Sequence, residues 1–438
     1  MNDKIFIHVF GCRTSLCEGE YIAGFLKSQG FEITEDVKSG FDAAVIVTCS
    51  VTGEADRKCR ALVRRVRKKM NDNGLLAVCG CWGQSLDGEE AKNLGIDILA
   101  GSKGKNLIPD AIIKALKNKT EKREKKFFQD LRKTNIFEPS EWEELEISAP
   151  VLHSRAFMKI QDGCNHFCTY CIIPFLRGRP VSRPFKNIID EIKRLIDGGV
   201  KEIIFTGIHL GLYGKDLDFS LADLIREVSK IKELKRLRLG SLEPFALNDD
   251  LINSLSECEA FCGHLHLPLQ SGSNEILASM RRGYSAENFL RICEKAREKI
   301  SEDLHISSDI LVGFPGETEK NFNETLEIMK KANFGRVHVF PYSKRPGTLA
   351  ANFPEQISHE VKISRTSQAI SLGHELFDNY AKKFLNKEVE ILIEKNNRGY
   401  TRNYVEAVIN SSNSDFNFIT KASVKNYDNG VLECQCRN

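Results

Sequence analysis

Between Arg155 and Phe340 the chain alternates short apolar runs with helical patterns, and this alternation limits the fold more than any other feature. Apolar-rich runs occur at Ala156–Ile160, Glu202–Phe205, Leu234–Leu239, Leu265–Leu269, Ile306–Val312 and Val337–Phe340. Helical patterns separate them at Ile188–Ile196, Leu221–Ile231, Leu251–Cys258, Ala286–Ile300 and Asn321–Ala332. Six strands spaced by helices predict a parallel α/β barrel of the TIM type, or most of one. Such barrels place their active sites at the C-terminal strand ends. Here those ends carry polar or glycine-rich turns, among them Thr206-Gly207-Ile208-His209, Ser241-Leu242-Glu243-Pro244, Gln270-Ser271-Gly272-Ser273 and Pro341–Thr348. Gly207 reads plainly as a turn residue and Glu243 as a surface acid, but their shared place at one mouth favours a ligand role. Asp309 lies inside a strand, where a buried acid needs a donor, either a ligand hydroxyl or amine or a structural partner.

The first of these strands runs into Cys164-Asn165-His166-Phe167-Cys168-Thr169-Tyr170-Cys171, a C-x3-C-x2-C loop opened by Gly163 and closed by Pro174. Three thiolates this close can wrap one compact inorganic centre. A cubane 4Fe-4S cluster normally takes four cysteines, so three leave one iron open to another ligand. Zinc with His166 or a distant side chain as fourth ligand is an alternative, and so is a disulfide network. The spacing lacks the paired C-x2-C halves of zinc ribbons.

Ahead of the barrel, three strand-like runs each end in cysteine. Ile5–Phe10 leads to Cys12, Ala43–Val47 to Cys49, and Leu75–Val78 to Cys81. Helical patterns at Glu18–Gln29 and Ala55–Met70 lie between them, so the runs read as βαβ units of a parallel sheet. All strand ends of such a sheet share one edge, where α/β folds build ligand sites. Three separated thiols therefore converge on a second site. Cys17, Cys59 and Cys79 lack this placement and read as structural. Ile96–Leu99 reads as a fourth strand, with a helix at Leu107–Lys117 after it.

A chain of 438 residues suggests about three domains. The acidic stretch Glu138–Glu144, with Pro150 after it, reads as a linker over 138–150, leaving an N-terminal domain at 1–137 and the barrel at 151–377. After a helix from Lys362 to Lys383, short β-rich runs at Glu388–Ile393, Tyr404–Ile409, Phe416–Thr420 and Gly430–Gln435, with turns at Asn396–Gly399 and Asn413, predict a small antiparallel β-barrel at 378–438. Such barrels bind looped or single-stranded RNA, with Lys395, Arg398, Tyr400, Arg402 and Tyr404 as candidates. No apolar run reaches the ~18 residues of a membrane span, and the start is unlike a signal peptide. A cytoplasmic protein with no membrane role is expected, in which fourteen cysteines serve as ligands and buried thiols rather than disulfides. The net charge of +3 conceals two basic runs, Arg57–Lys69 and Lys114–Lys133. Each fits a solvated helix face or a phosphate-binding strip equally well.

Taken together, the three segments resemble the radical S-adenosylmethionine (SAM) methylthiotransferases. The stretches Lys159–Asn165, Cys171–Pro174 and Pro341–Thr348 are most similar to the branch acting on threonylcarbamoyladenosine at position 37 of tRNA, beside the anticodon. The resemblance implies two 4Fe-4S clusters, one on Cys164, Cys168 and Cys171 and an auxiliary one on Cys12, Cys49 and Cys81. It implies SAM across the barrel mouth, with Tyr170, Gly207, Glu243, Gln270 and Asp309 as contacts, and an RNA-binding TRAM domain at the C-terminus. The partners implied are the tRNA anticodon loop and an electron donor such as flavodoxin or ferredoxin. A deoxyadenosyl radical from SAM would remove hydrogen from carbon 2 of the adenine, sulfur from the auxiliary cluster would replace it, and a second SAM would supply methyl. No catalytic side chain beyond the cluster ligands is required. The chain departs from the family pattern at Ser15 and Val47, and at Val181 in the basic run Arg177–Arg183 that implies a grip on RNA. The alternatives are a methylthiotransferase acting on isopentenyladenosine in tRNA or on a ribosomal-protein aspartate, and an RNA-binding protein that a metal merely stabilises.

Overall fold

The cysteine-ended runs become neighbouring strands in the computed structural model, which describes residues 3–436 except 39, 118–126, 134, 140, 148 and 411–416. The Asn413 turn, Phe416 and the middle of the Lys114–Lys133 stretch lie outside the described residues. Strands β1 (Lys4–Val9), β2 (Glu32–Thr34), β3 (Ala43–Thr48), β4 (Leu75–Gly80), β5 (Ile98–Leu99) and β6 (Gln129–Asp130) form one parallel sheet in the order β2-β1-β3-β4-β5-β6. Alternation along β1 sends Ile5 and Ile7 to one face and Phe6 to the other. Helices α1 (Arg13–Ser28) and α5 (Ile108–Lys117) cover the first face, while α2 (Gly53–Arg67), α3 (Cys81–Ser85) and α4 (Gly88–Asn93) cover the second. With both faces covered, β3 and β4 are buried from end to end.

In the barrel, β7 (Ala156–Lys159) continues into a hairpin of β8 (Gln161–Asp162) and β9 (Val181–Ser182), with α6 (Ile173–Arg177) between its arms. Five further parallel strands follow: β10 (Glu202–Thr206), β11 (Arg236–Leu239), β12 (His264–His266), β13 (His305–Val312) and β14 (Arg336–Pro341). The helices between them are α7 (Phe185–Asp197), α8 (Leu221–Ser229), α9 (Asp249–Ser256), α10 (Asn274–Ser279), α11 (Ala286–Lys299) and α12 (Glu319–Lys331). The order is β7-β10-β11-β12-β13-β14, with β11 joined to β12 by two parallel bridges, Leu237 to Phe261 and Ser241 to His266. Among the described residues no pairing joins β14 to β7, so the barrel is open on one side.

Helix α13 (His359–Lys382) packs on β14 and leads into a closed barrel of β15 (Glu388–Lys395), β16 (Arg398–Thr401), β17 (Glu406–Ile409), β18 (Phe418–Asp428) and β19 (Val431–Cys436). Four of its ladders are antiparallel, as expected, but β17 and β19 pair in parallel to close it. Its Thr401–Val405 turn docks on the N-terminal ends of the large barrel. Arg236 and Arg238 there donate to the carbonyls of Tyr400, Thr401 and Arg402. One buried carboxylate, Glu202, orients both arginines. Among the described residues no helix is long and apolar enough to cross a membrane.

Candidate active site

The C-x3-C-x2-C loop is shaped by a backbone only glycine allows. Gly163 has φ +75°, and a Cβ there would run into the carbonyl of Arg179. Cys164 N then donates to Gly178 O at 3.0 Å, and His166 N donates to Cys164 Sγ at 3.4 Å. Thr169 fastens the middle of the loop to the carbonyls of Met280 and Ser279. Burial pushes the Cys171 thiol up to about 12 and the Cys164 thiol up to about 11, and Cys168 adds to both. Free thiols so placed are neutral near pH 7, so binding a cluster here releases protons.

The second set arises from sheet register. Val9 pairs with Val47, and Val47 with Cys79, so Cys12, Cys49 and Cys81 leave the same edge within three residues of those pairs. Cys12 precedes α1, Cys49 follows β3, and Cys81 opens α3. Gly80, at φ +98°, permits the sharp turn to Cys81, since a Cβ there would strike the Thr48 backbone. Burial pushes the Cys49 thiol up to about 12, and the nearby Cys81 and Cys12 add to the rise. Of the cysteines read as structural, Cys79 lies in the sheet core and Cys17 is buried against β7. Cys59 is nearer the site, with its thiol donating to the carbonyl of Cys49 at 3.6 Å.

Among the described residues, no three His, Cys, Asp or Glu groups converge tightly enough to hold a single metal ion. A zinc site needs every ligand about 2.0–2.3 Å from one ion, whereas a cubane takes each thiolate on a different iron and spreads them wider. The donors gathered at each site are thiols, the usual ligands of iron–sulfur clusters. His166, the suggested fourth zinc ligand, stacks instead on Phe245 with ring centroids 5.4 Å apart.

Two arginines touch these thiols: Arg282, which the sequence did not single out, and Arg177, which lies in the run expected to grip RNA. Arg282 donates to Cys168 Sγ at 3.3 Å, lies 3.5 Å from the Tyr170 hydroxyl and pairs with Glu243. Arg177 donates to Cys81 Sγ at 3.4 Å and pairs with Glu18 at 2.9 Å and Asp162 at 3.1 Å. Arg177 and Arg183, expected to grip RNA, are both buried, and Arg183 pairs with Glu144 and Glu191. Of the three arginines in that run only Arg179 is exposed.

The other expected contacts divide into two groups. Tyr170 and Glu243 meet at Arg282 beside the loop. Gly207 sits below it, where a Cβ would lie 3.0 Å from Gln161, whose amide donates to the carbonyls of Asp162 and Gly163. Gln270 and Asp309 form a separate pair. The backbone of Gln270, at φ +68°, bonds to Asp309 O and Leu311 N, and Asp309 faces His266 at 3.2 Å. Burial would raise the Asp309 carboxyl, but His266, with His338 and Arg282, outweighs it and holds the group below the usual range.

The RNA candidates on the small barrel need correction too. Arg402 donates to the carbonyls of Glu259 and Phe261, and Tyr404 is ringed by Arg13, Arg155 and Arg238. Tyr400 stacks on Tyr404 and lies under Arg155. These three build the interdomain contact, leaving Lys395 and Arg398 exposed. In the Arg57–Lys69 run, Arg57, Lys58, Arg60 and Arg67 pair with acids. Among the described residues no acid pairs with Arg64, Arg65, Lys68 or Lys69.

Comparison with known proteins agrees with this geometry. Residues 158–329 match the Radical SAM superfamily, and residues 4–101 match a family described as Uncharacterized protein family UPF0004. Threonylcarbamoyladenosine tRNA methylthiotransferase MtaB of Bacillus subtilis (strain 168) is 36% identical over 96% of this chain and 93% of its own length. The chain belongs to the radical SAM methylthiotransferases. Another relative of this methylthiotransferase, the tRNA-2-methylthio-N(6)-dimethylallyladenosine synthase of Clostridium novyi (strain NT), is 37% identical over 90% of this chain and 86% of its own. A solved structure, the radical SAM methyltransferase TsrM from Kitasatospora setae, shares the fold at a TM-score of 0.55 and 14% identity, covering 80% of this chain and 77% of that one. Membership in the radical SAM superfamily implies a 4Fe-4S cluster and SAM.

Proposed function

We propose that this methylthiotransferase adds a methylthio group to carbon 2 of N6-threonylcarbamoyladenosine at position 37 of tRNA. The observation that carries the chemistry is the bridging of two three-thiol sets by one short segment. Arg177 donates to Cys81 while Gly178 accepts from Cys164. Cys164, Cys168 and Cys171 would hold one 4Fe-4S cluster and Cys12, Cys49 and Cys81 a second. When bound, the clusters and SAM supply the radical that takes hydrogen from carbon 2 and the sulfur and methyl that replace it. Tyr170, Gly207, Glu243, Gln270 and Asp309 would line the place of SAM, with Arg282 orienting Glu243.

The Pro341–Thr348 loop, whose sequence resembles the threonylcarbamoyladenosine branch, lies against the second thiol set. Its Arg345 reaches Asp56 and Ser50, each at 2.8 Å, and Ser343 accepts from Gly53 N, so the loop walls the edge that carries Cys49. The relative from Bacillus subtilis, whose name gives this nucleoside, is matched over 96% of the chain. A second reading, dimethylallyladenosine as the modified base, has support from the 37% identity to the synthase of Clostridium novyi. We take the chain as an N-terminal domain at 1–137, a linker at 138–150, a radical SAM domain at 151–377 and an RNA-binding domain at 378–438. It would work in the cytoplasm with a flavodoxin or ferredoxin as electron donor.

Mass spectrometry of tRNA nucleosides from a deletion strain tests the substrate. The 2-methylthio derivative of threonylcarbamoyladenosine is expected to vanish while that of isopentenyladenosine persists. The reverse pattern overturns the assignment. A smaller test concerns the loop: Gly163→Ala is expected to shift Cys164 and lower iron per chain by about half, one of two clusters, as read by iron and sulfide analysis. Unchanged iron would show that the loop tolerates the added Cβ.

A further inference from the structure

Around Arg177 lies a group of buried charges that do not balance among the described residues. Arg177, Lys105, Lys159 and Lys103 face Glu18 and Asp162, and all six are no more than 5% exposed. Lys105 lies 3.0 Å from Glu18, Lys159 lies 3.5 Å from Glu18 and 3.2 Å from Asp162, and Lys103 lies 3.8 Å from Asp162. Four cations thus oppose two carboxylates. The half-buried Glu143, whose charge also reaches Lys159, still leaves four against three. Buried excess charge is costly unless an anion opposes it. The group Arg177 reaches in the direction of the sheet edge is Cys81, at 3.4 Å.

The other thiol set differs. Arg282, which touches Cys168, is matched one to one by Glu243. Among the described residues no surplus of buried cations stands behind it. The two sets therefore have unlike electrostatic surroundings although each receives one arginine hydrogen bond.

We propose that Arg177 and the three lysines behind it are the counter-charge for an anionic iron–sulfur cluster on Cys12, Cys49 and Cys81, and that Arg177 raises the reduction potential of that cluster through its bond to Cys81. The inference rests on the two-cluster reading above. A cubane core held by three thiolates is a net anion, which supplies the missing negative charge. Hydrogen bonds to cluster sulfurs and nearby positive charge both favour the state with one more electron, so both move the potential upward. Arg177 is a positioning residue here, acting on the ligand Cys81 and not on substrate.

The test isolates the auxiliary site in the full chain by replacing Cys164, Cys168 and Cys171 with alanine, reconstituting with iron and sulfide, and following reduction by electron paramagnetic resonance. Arg177→Gln is expected to weaken reduction about tenfold, ~59 mV for one electron, and Arg177→Lys to recover most of the loss. A triple-alanine chain that binds no cluster would sink the two-cluster reading itself. A loaded cluster whose potential is the same with Arg177→Gln would sink the counter-charge proposal and leave that reading standing. Should Arg177→Gln fail to load, Lys105→Met keeps the Arg177–Cys81 contact and removes one cation. A smaller downward shift is then expected, and an unchanged potential overturns the proposal.

Discussion

Cys49→Ala leaves reductive cleavage of SAM to deoxyadenosine running while methylthio product falls by more than about 100-fold, beyond the 10–100-fold of a change outside the ligand shell. The separation follows from where the two thiol sets are anchored. Cys49 stands just past β3, and the neighbouring contacts do not depend on its sulfur: Ser50 bonds to Asp56, and Thr52 caps α2 through Ala55 N. Alanine keeps the Cβ that packs beside Gly11, so the turn survives. The loop of Cys164, Cys168 and Cys171 is fastened by its own bonds, to Gly178, Met280 and Ser279, none of which reaches Cys49. Cys168→Ala, by contrast, is expected to stop both reactions. Chromatography with mass detection of deoxyadenosine and of the modified nucleoside reads both outcomes in one assay. Retained product with Cys49→Ala would show that this thiol is not a ligand.

The thiols were legible because each set follows a local rule. One is a spacing within eight residues, and the other repeats strand, cysteine and helix three times, so the parallel sheet must gather the ends. The barrel strands were legible from their spacing between helical patterns, with β10 the clearest as a buried, mostly apolar run; β11 and β12 alternate apolar with Arg or His, and β14 is largely exposed. Strands β2 and β6 carry no such run, because they are edge strands of two or three residues with little burial. The arginines were not legible. Arg177 meets Glu18, 159 residues earlier, and Arg282 meets Glu243, 39 residues earlier. Nothing near them in sequence marks them as buried. Arg281 beside Arg282 is exposed, so even the dipeptide holds two opposite fates. Tyr404 and Arg402 look like an RNA-facing pair on a β-barrel until the barrel is docked, at which point they become its plug.

That docking sets up the other large effect. Glu202→Gln is expected to destabilise the protein by about 3 kcal/mol at neutral pH and to loosen the small barrel first. Burial alone would raise the Glu202 carboxyl, but Arg238, Arg236 and Arg155 overcome it and hold it at about 2, against an ordinary 4.5. At ~1.36 kcal/mol per tenfold in proton affinity, that difference gives the figure of about 3 kcal/mol. The sign follows from the direction. A depressed carboxyl contributes its full stability above its unfolded value of 4.5 and loses it as pH falls through the folded value of about 2. The deficit of Glu202→Gln should therefore be constant above pH ~5 and shrink toward pH 2. Without the carboxylate the buried Arg236 and Arg238 and the half-buried Arg155 repel one another, and the first two hold the Tyr400–Arg402 carbonyls while Arg155 pairs with Glu394 on β15 at 2.7 Å. Limited proteolysis should cut between α13 and β15 sooner in the variant, and urea unfolding at pH 7 and pH 3 should show the larger gap at pH 7. Equal gaps at both pH values would mean that Glu202 does not carry the charge that its three arginines require.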